Sequence, residues 1–439
     1  MNMLVTVADS LRVDHLGFHG ADVQTPNLDR LAAESAVFEN TYAENLPTLP
    51  ARTAMWTGRY LFPSRPWEPF HVDDVLLAEL LWERGYASAL VTDTYHMHKP
   101  GYNCGRGFDA VRFVRGQEYD PWVVDDVPID LGRWYRFRGD EDDAMWRGRA
   151  EQYLRNRTRF VNEEDHCTPR VIHAALDWLD DVADGPDPFF LWVDCFDPHE
   201  PWDPPEPFRS MYVPHYDGEE LIEPIPGPVD GYMTERELRH TRALYAGQVS
   251  FLDKWLGVLL DRVRDLGLLD DTLVVFTSDH GEPLGEHGII RKTGRVICYE
   301  PSAHVPLFIR HPDGVGSGER LTGFVQPPDL APTLLDAAEI DVDAPFTGHT
   351  LMPMLRGETD GGRDFAVTAH NPKQWSIRTD EWTYLLHIDG ERPEELYRRA
   401  DDPLEQRNVI DAHRDVADEL EQRLRACADE VARQRSYQP

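Results

Sequence analysis

Lysine is nearly missing from this 439-residue chain. Of its 44 basic residues only Lys99, Lys254, Lys292 and Lys373 are lysines, so cationic chemistry rests on arginine. Positive charge is scarce altogether, because 79 acidic residues leave a formal net charge of −35. A surface of that sign repels nucleic-acid backbones and anionic lipid, so neither nucleic acid nor a membrane is expected as a partner. A small anionic substrate would need a locally positive site, supplied by a metal ion or by clustered arginines. Abundant acid with little lysine suits a salt-rich cytoplasm, and a GC-rich genome would give the same arginine bias. Cysteine is also sparse: Cys104, Cys167, Cys195, Cys298 and Cys427 are odd in number and form no C-x-x-C pair, which indicates neither a disulfide framework nor a cysteine-ligated zinc site. No run approaches 18 apolar residues, and the first residues lack the basic and apolar segments of a secretory leader. The expectation is a cytoplasmic chain, with homo-oligomerisation left open.

What the sequence does contain is a series of short apolar runs that end in polar residues. Leu4–Ala8 leads into Asp9, 89–92 into Asp93, 189–193 into Asp194 and Asp197, and 273–277 into Ser278-Asp279-His280, with Val305–Arg310 as a further run. Helical periodicities at 27–35, 75–84, 171–182 and 238–266 lie between them. The alternation predicts an α/β fold with a large mixed, mostly parallel sheet sandwiched by helices. Ligands in such folds gather beyond the carboxyl ends of the strands, where Asp9 and Asp279 would meet.

A helix opening with a proline near its start is expected at 329–338. Beyond it the pattern changes to antiparallel strands at 365–370 and 375–387 around Asn371-Pro372, then a charge-rich amphipathic helix over 411–435. This predicts a catalytic domain over residues 1–345 and a small C-terminal α+β unit over 346–439. Residues 115–165, rich in arginine and tryptophan, stand apart as an insertion. Its Arg133, Arg136, Arg138, Arg147 and Arg149 lie amid Trp134, Tyr135 and Trp146. They form either a lid over an anionic or sugar-bearing substrate or a neutralising set for the acidic run Asp140–Asp143.

Four segments carry the chemistry. They are Val7-Ala8-Asp9-Ser10-Leu11-Arg12, Thr48-Leu49-Pro50-Ala51-Arg52, Phe196-Asp197-Pro198-His199-Glu200 and Ser278-Asp279-His280-Gly281-Glu282-x-x-Gly285-Glu286-His287-Gly288, the last followed by Lys292. Asp9, Asp279 and His280 offer two carboxylates and an imidazole, a set suited to Zn2+ or Mn2+ more than to Ca2+. Taken alone, an Asp-His pair at a strand end also serves to cap the loop that follows.

Together the segments resemble the sulfatase branch of the alkaline-phosphatase superfamily. Further matches are Thr25-Pro26-Asn27-Leu28-Asp29, Gly107-Phe108-Asp109, Asp329-Leu330-x-Pro332-Thr333 and Gly348-His349-x-Leu351-x-Pro353. Two departures from the family pattern bear on the reaction. The residue that sulfatases oxidise to formylglycine is Thr48 here, and a secondary alcohol oxidises to a ketone, so no formylglycine is expected. The usual Asp-Asp pair is Asp9-Ser10.

The resemblance then implies a metal set of Asp9, Thr48, Asp279 and His280 holding one divalent ion, with Mn2+ or Zn2+ favoured and Ca2+ or Mg2+ possible. This is similar to the phosphonate monoester hydrolases and to the lipoteichoic acid synthase group, the latter using threonine itself as nucleophile and Mn2+ as the metal. It assigns catalytic roles to Thr48, Arg52, His199, His287 and Lys292, with Arg52 holding the alkoxide or a phosphoryl oxygen and His199 or His287 protonating the leaving group. Ser10, Arg12 and His96 are candidate substrate contacts. The expected activity is hydrolysis of phosphate or phosphonate esters, phosphodiesters and phosphonate monoesters foremost, through a phosphothreonine. The alternatives are a sulfatase without formylglycine, a phosphoryl transferase and a non-catalytic binding protein.

Overall fold

The computed structural model of the chain describes residues 1–292, 297–359 and 361–436. Eight strands form the large sheet in the order Arg320–Val325, Ala36–Thr41, Leu307–Arg310, Thr272–Ser278, Asn2–Asp9, Phe189–Pro198, Ala87–Thr92 and Ala110–Phe113. Only Leu307–Arg310 runs against the others, so the sheet is mixed and mostly parallel as expected.

The central strands read as continuous apolar runs because both faces are covered. Along the first strand Met3, Val5 and Val7 enter one core while Leu4 and Ala8 enter the other, and Leu273/Val275 and Val274/Phe276 divide in the same way on the neighbouring strand. The long helices Cys167–Val182 and Glu235–Asp265 cover one face. The second starts at Thr234, whose hydroxyl accepts the Glu237 backbone N–H while the Glu237 carboxylate reaches back. The opposite face is covered by the shorter helices Thr48–Thr57, Leu77–Trp82 and Leu330–Ala337.

A second, antiparallel sheet has the order Ala366–His370, Gln374–Arg378, Trp382–His387 and Glu395–Arg398. Helix Arg414–Ser436 lies on it through Ala417, Leu420, Leu424 and Ala428, a spacing of three and four that puts them on one stripe. The stretch 375–387, expected as one strand, is two. The Thr379 N–H donates to the Trp382 carbonyl and the Trp382 N–H to the Thr379 hydroxyl, closing a two-residue turn at Asp380-Glu381, which lacks the glycine that marks such turns. Leu351, Met352, Met354 and Leu355 pack into the core beside the large sheet, and the first strand of the small sheet starts at Ala366.

Residues 115–165 contribute helix Asp143–Arg157, anchored in the main core by Ala150, Tyr153 and Leu154. Arg136 pairs with Glu219 and Glu237, and Arg138 donates to the carbonyls of Ile225 and Pro228. Among the described residues no helix is long and apolar enough to cross a membrane.

Candidate active site

Register alone brings the first two acids together. Ala8 is paired with Ser278 on the adjacent parallel strand, so Asp9 and Asp279 leave the sheet side by side at the same edge. The chain then turns sharply: Ser10 adopts φ 63°, the left-handed region that a non-glycine residue seldom takes, and its N–H donates to Asp279 Oδ1 at 3.0 Å. The His280 N–H donates to the same oxygen at 2.8 Å.

Asp9, Asp279 and His280 are fully buried, and one ligand atom from each lies within 4.8 Å of the others. The tautomer of His280 follows from its neighbours. Nδ1 lies 2.9 Å from the Gly281 carbonyl oxygen, which only accepts, so Nδ1 carries the proton and Nε2 bears a lone pair. That lone pair faces carboxylate oxygens of Asp279 at 3.4 Å and Asp9 at 3.7 Å. Burial pushes the imidazole pKa down to about 4, so the ring is neutral at pH 7. A neutral nitrogen donor facing two acids, with Asp9 Oδ2 accepting no hydrogen bond, is a donor set that fits a divalent cation. Burial, and Asp279 beside it, hold the Asp9 carboxyl well above its ordinary range. For Asp279 the raising effect of burial is outweighed by His280, Arg52 and the Ser10 N–H, and its pKa sits at about 2.

Arg52 stands behind these acids with no exposure. Nε and Nη2 grip Asp194 at 2.8 and 2.7 Å, Nη1 donates to Asp279 at 2.5 Å and to the Thr48 carbonyl, and Nη2 lies 3.2 Å from Asp9. Every nitrogen of the guanidinium faces a protein oxygen. Its place therefore differs from the one expected from sequence: it holds the carboxylates and does not reach toward substrate.

Thr48 opens helix Thr48–Thr57, where free backbone N–H groups and the helix dipole favour an anion. It lines an open cleft of about 350 Å3, and its Oγ1 lies 3.5 Å from His280 Nε2. The cleft is also lined by His96, His199 and Lys292. Nδ1 of His199 lies 2.8 Å from the Glu200 carbonyl oxygen and so carries the ring proton, leaving Nε2 as an acceptor. Burial lowers this imidazole to about 3. Lys292 Nζ donates to Ser10 Oγ at 2.9 Å and to Glu282, with Glu200 at 3.8 Å. Burial works against its charge, but Glu200 and Glu282 outweigh it and raise its pKa, so it is an ammonium. Arg291, also φ-positive at 62°, ties Glu200 to Glu223.

Two sequence candidates, His287 and Arg12, lie elsewhere. His287 stacks on Tyr299 at 3.6 Å with Tyr397 edge-on, turned toward the small sheet and not into the cleft. Positive φ at Gly285, His287 and Gly288 coils the loop that way. Arg12 is neutralised by Asp14 at 2.7 Å and Glu286 at 2.8 Å, beside the site rather than in it. Ser10 is fully buried and bridges Asp9 Oδ1 to Lys292. His96 lines the cleft but is bonded to Glu118 at 2.8 Å. Sequence reasoning missed Asp194, Glu282 and the cleft residues Lys99, Tyr119 and Trp67. The i, i+3 spacing of Trp146 and Arg149 was the one local signal for a shared helical face.

The Sulfatase profile matches residues 1–340, and that of the N-sulphoglucosamine sulphohydrolase C-terminal region matches 285–430. The chain belongs to the sulfatase family. It is 27% identical over 449 residues to an arylsulfatase of Clostridium perfringens, covering 94% of this chain and 90% of that one. It is 29% identical to a choline-sulfatase of Rhizobium meliloti, covering 95% and 84%. Among solved structures, the phosphonate monoester hydrolase of Agrobacterium radiobacter superposes with a TM-score of 0.77 at 24% identity, covering 97% and 96%. Members of the family generally bind a divalent metal, and Asp9, Asp279 and His280 are the candidate ligands here.

Proposed function

We propose that this chain hydrolyses phosphate or phosphonate esters, phosphodiesters and phosphonate monoesters foremost, with Thr48 as nucleophile. The observation that carries the reading is the position of Thr48, which belongs at once to the cleft wall and to the surroundings of His280 Nε2. A divalent cation held by Asp9, Asp279, His280 and the Thr48 hydroxyl, Mn2+ or Zn2+ by donor type, would supply Lewis acidity and make that hydroxyl easier to ionise. The chain's own residues do the rest. The Thr48 oxygen attacks phosphorus, the bond from phosphorus to the ester oxygen breaks, and the alcohol departs with a proton. His199 offers Nε2 to receive a proton and pass it to the departing oxygen, and the Lys292 ammonium balances the charge that develops. Water then attacks phosphorus and releases Thr48.

Threonine at this position is the chemical argument for phosphorus over sulfur. A threonine sulfate has no adjacent hydroxyl through which to eliminate, whereas a threonine phosphate is open to a second attack at phosphorus. The similarity to an arylsulfatase and a choline-sulfatase favours sulfate esters as the second reading. Parallel assays with nitrophenyl sulfate, nitrophenyl phosphate, bis-nitrophenyl phosphate and a nitrophenyl phosphonate separate the two. Preference for a phosphorus ester supports the proposal, and preference for the sulfate overturns it.

A further inference from the structure

Two cations in the cleft take no part in the reaction at Thr48. Lys99 and Arg149 flank the Tyr119 ring: Lys99 Nζ is 5.3 Å from its centroid and donates to its hydroxyl at 3.1 Å, while Arg149 Cζ is 4.5 Å from the same centroid and 4.9 Å from that of Trp146. Among the described residues neither forms an ion pair with a carboxylate. The nearby acid, Glu118, is already bonded to His96. Their neighbours in the cleft behave differently, since Lys292 is held by Glu282 and Glu200, and Arg291 by Glu200 and Glu223.

In a chain of net charge −35 with four lysines, acids to pair with are everywhere. Two half-buried like charges that share one ring and lack a carboxylate of their own are therefore a standing positive site. Burial depresses the Lys99 pKa, attraction from Glu118 on the cleft wall works against it and repulsion from Arg149 adds to it, so an incoming anion would favour the charged form. Trp67, Tyr119 and Trp146 line the same cleft and offer flat apolar faces for a ring between the two ends.

We propose that Lys99 and Arg149 form a second anion subsite, so that the alcohol part of the substrate carries its own anionic group on an aromatic or sugar ring. The proposal rests on the cleft being the ester site. It also implies discrimination against an alcohol bearing a quaternary ammonium, which these cations would repel.

Binding tests it without turnover. Calorimetry would compare phenylphosphonate, 4-carboxyphenylphosphonate and phosphocholine on the intact protein, on Thr48→Ala, on Lys99→Arg and on the double variant Lys99→Gln/Arg149→Gln, each checked for an unchanged melting temperature. The carboxylate should tighten binding roughly tenfold in the intact protein and in Thr48→Ala, as expected for a hydrogen bond to a charged group. The advantage should survive in Lys99→Arg and shrink to about twofold in the double variant, while phenylphosphonate binding stays within about threefold. Equal binding of the two phosphonates, an advantage that persists in the double variant, tighter binding of phosphocholine, or no binding of any of the three overturns the subsite. A lost sulfate-versus-phosphate contest in the turnover assays would overturn the reading of Thr48 and leave this comparison standing.

Discussion

Thr48 Oγ1 and His280 Nε2 lie 3.5 Å apart although 232 residues separate them in the chain. The hydroxyl faces a ring nitrogen whose proton is on the other side, committed to the Gly281 carbonyl. This pairing sets the Thr48 hydroxyl, at a helix N-terminus, beside the candidate metal ligands, and on it rests the proposal that Thr48 is the nucleophile.

Replacing Thr48 should therefore separate turnover from folding. Thr48→Ala should lower kcat by roughly 10^4-fold or more, in line with loss of a nucleophile, while the melting temperature moves little. Thr48→Ser keeps an oxygen and should retain partial activity. Mass spectrometry after a rapid acid quench should find a phosphoryl group on Thr48 and none in the alanine variant. Full activity in Thr48→Ala would exclude the nucleophile.

A second prediction concerns the ion. Chelation should abolish turnover and Mn2+ or Zn2+ should restore it. Binding to the folded state alone also stabilises the protein by mass action, about 2.7 kcal/mol at one hundred times the dissociation constant. Scanning fluorimetry should show the melting temperature rising with added metal in the parent and not in Asp9→Asn/His280→Ala. The same rise in both would place the ion elsewhere.

Arg52 makes a prediction about stability. Its guanidinium is the counter-charge for Asp194, Asp279 and Asp9, all without exposure. Arg52→Met leaves three buried carboxylates facing one another, and breaking a buried pair in this way costs about 3–5 kcal/mol. Urea unfolding at pH 7 measures it. A loss below about 1 kcal/mol would mean that the acids are compensated by other means.

The pH dependence of stability follows from His199. Burial lowers its pKa from 6.5 to about 3, so between those values the unfolded chain binds a proton that the folded chain does not. Stability contributed by this group is thus intact above pH 6.5 and falls on acidification toward 3, with a slope of up to about 1.4 kcal/mol per pH unit. His199→Gln removes that slope. Urea unfolding at pH 7 and pH 5 should show a smaller acid loss in the variant than in the parent, and equal losses would contradict the assignment.

What was legible in the sequence followed from strands. Asp9, Asp279 and His280 could be placed together because each follows an apolar run, and parallel strands end at one edge. Thr48, His199 and Lys292 came from motif resemblance and lie at the cleft. The misplacements lie in loops and, for Arg52, on a helix whose partners are remote in sequence. His287 stands seven residues beyond His280, yet three positive φ values carry its ring to Tyr299. Arg52 was read as facing substrate because nothing local announces Asp194, 142 residues away, as its bidentate partner. Burial of a charge is set by distant chain, so sequence periodicity does not report it.

The helix Asp143–Arg157 lends Trp146 and Arg149 to the cleft, whereas the acids stand at the ends of strands. Reagent and address are thus encoded in different stretches of chain. On the proposed reading, substitutions on the cleft face of this helix would redirect the hydrolase toward other esters while leaving its reactive floor intact, a route by which one scaffold can acquire new clients without relearning its chemistry.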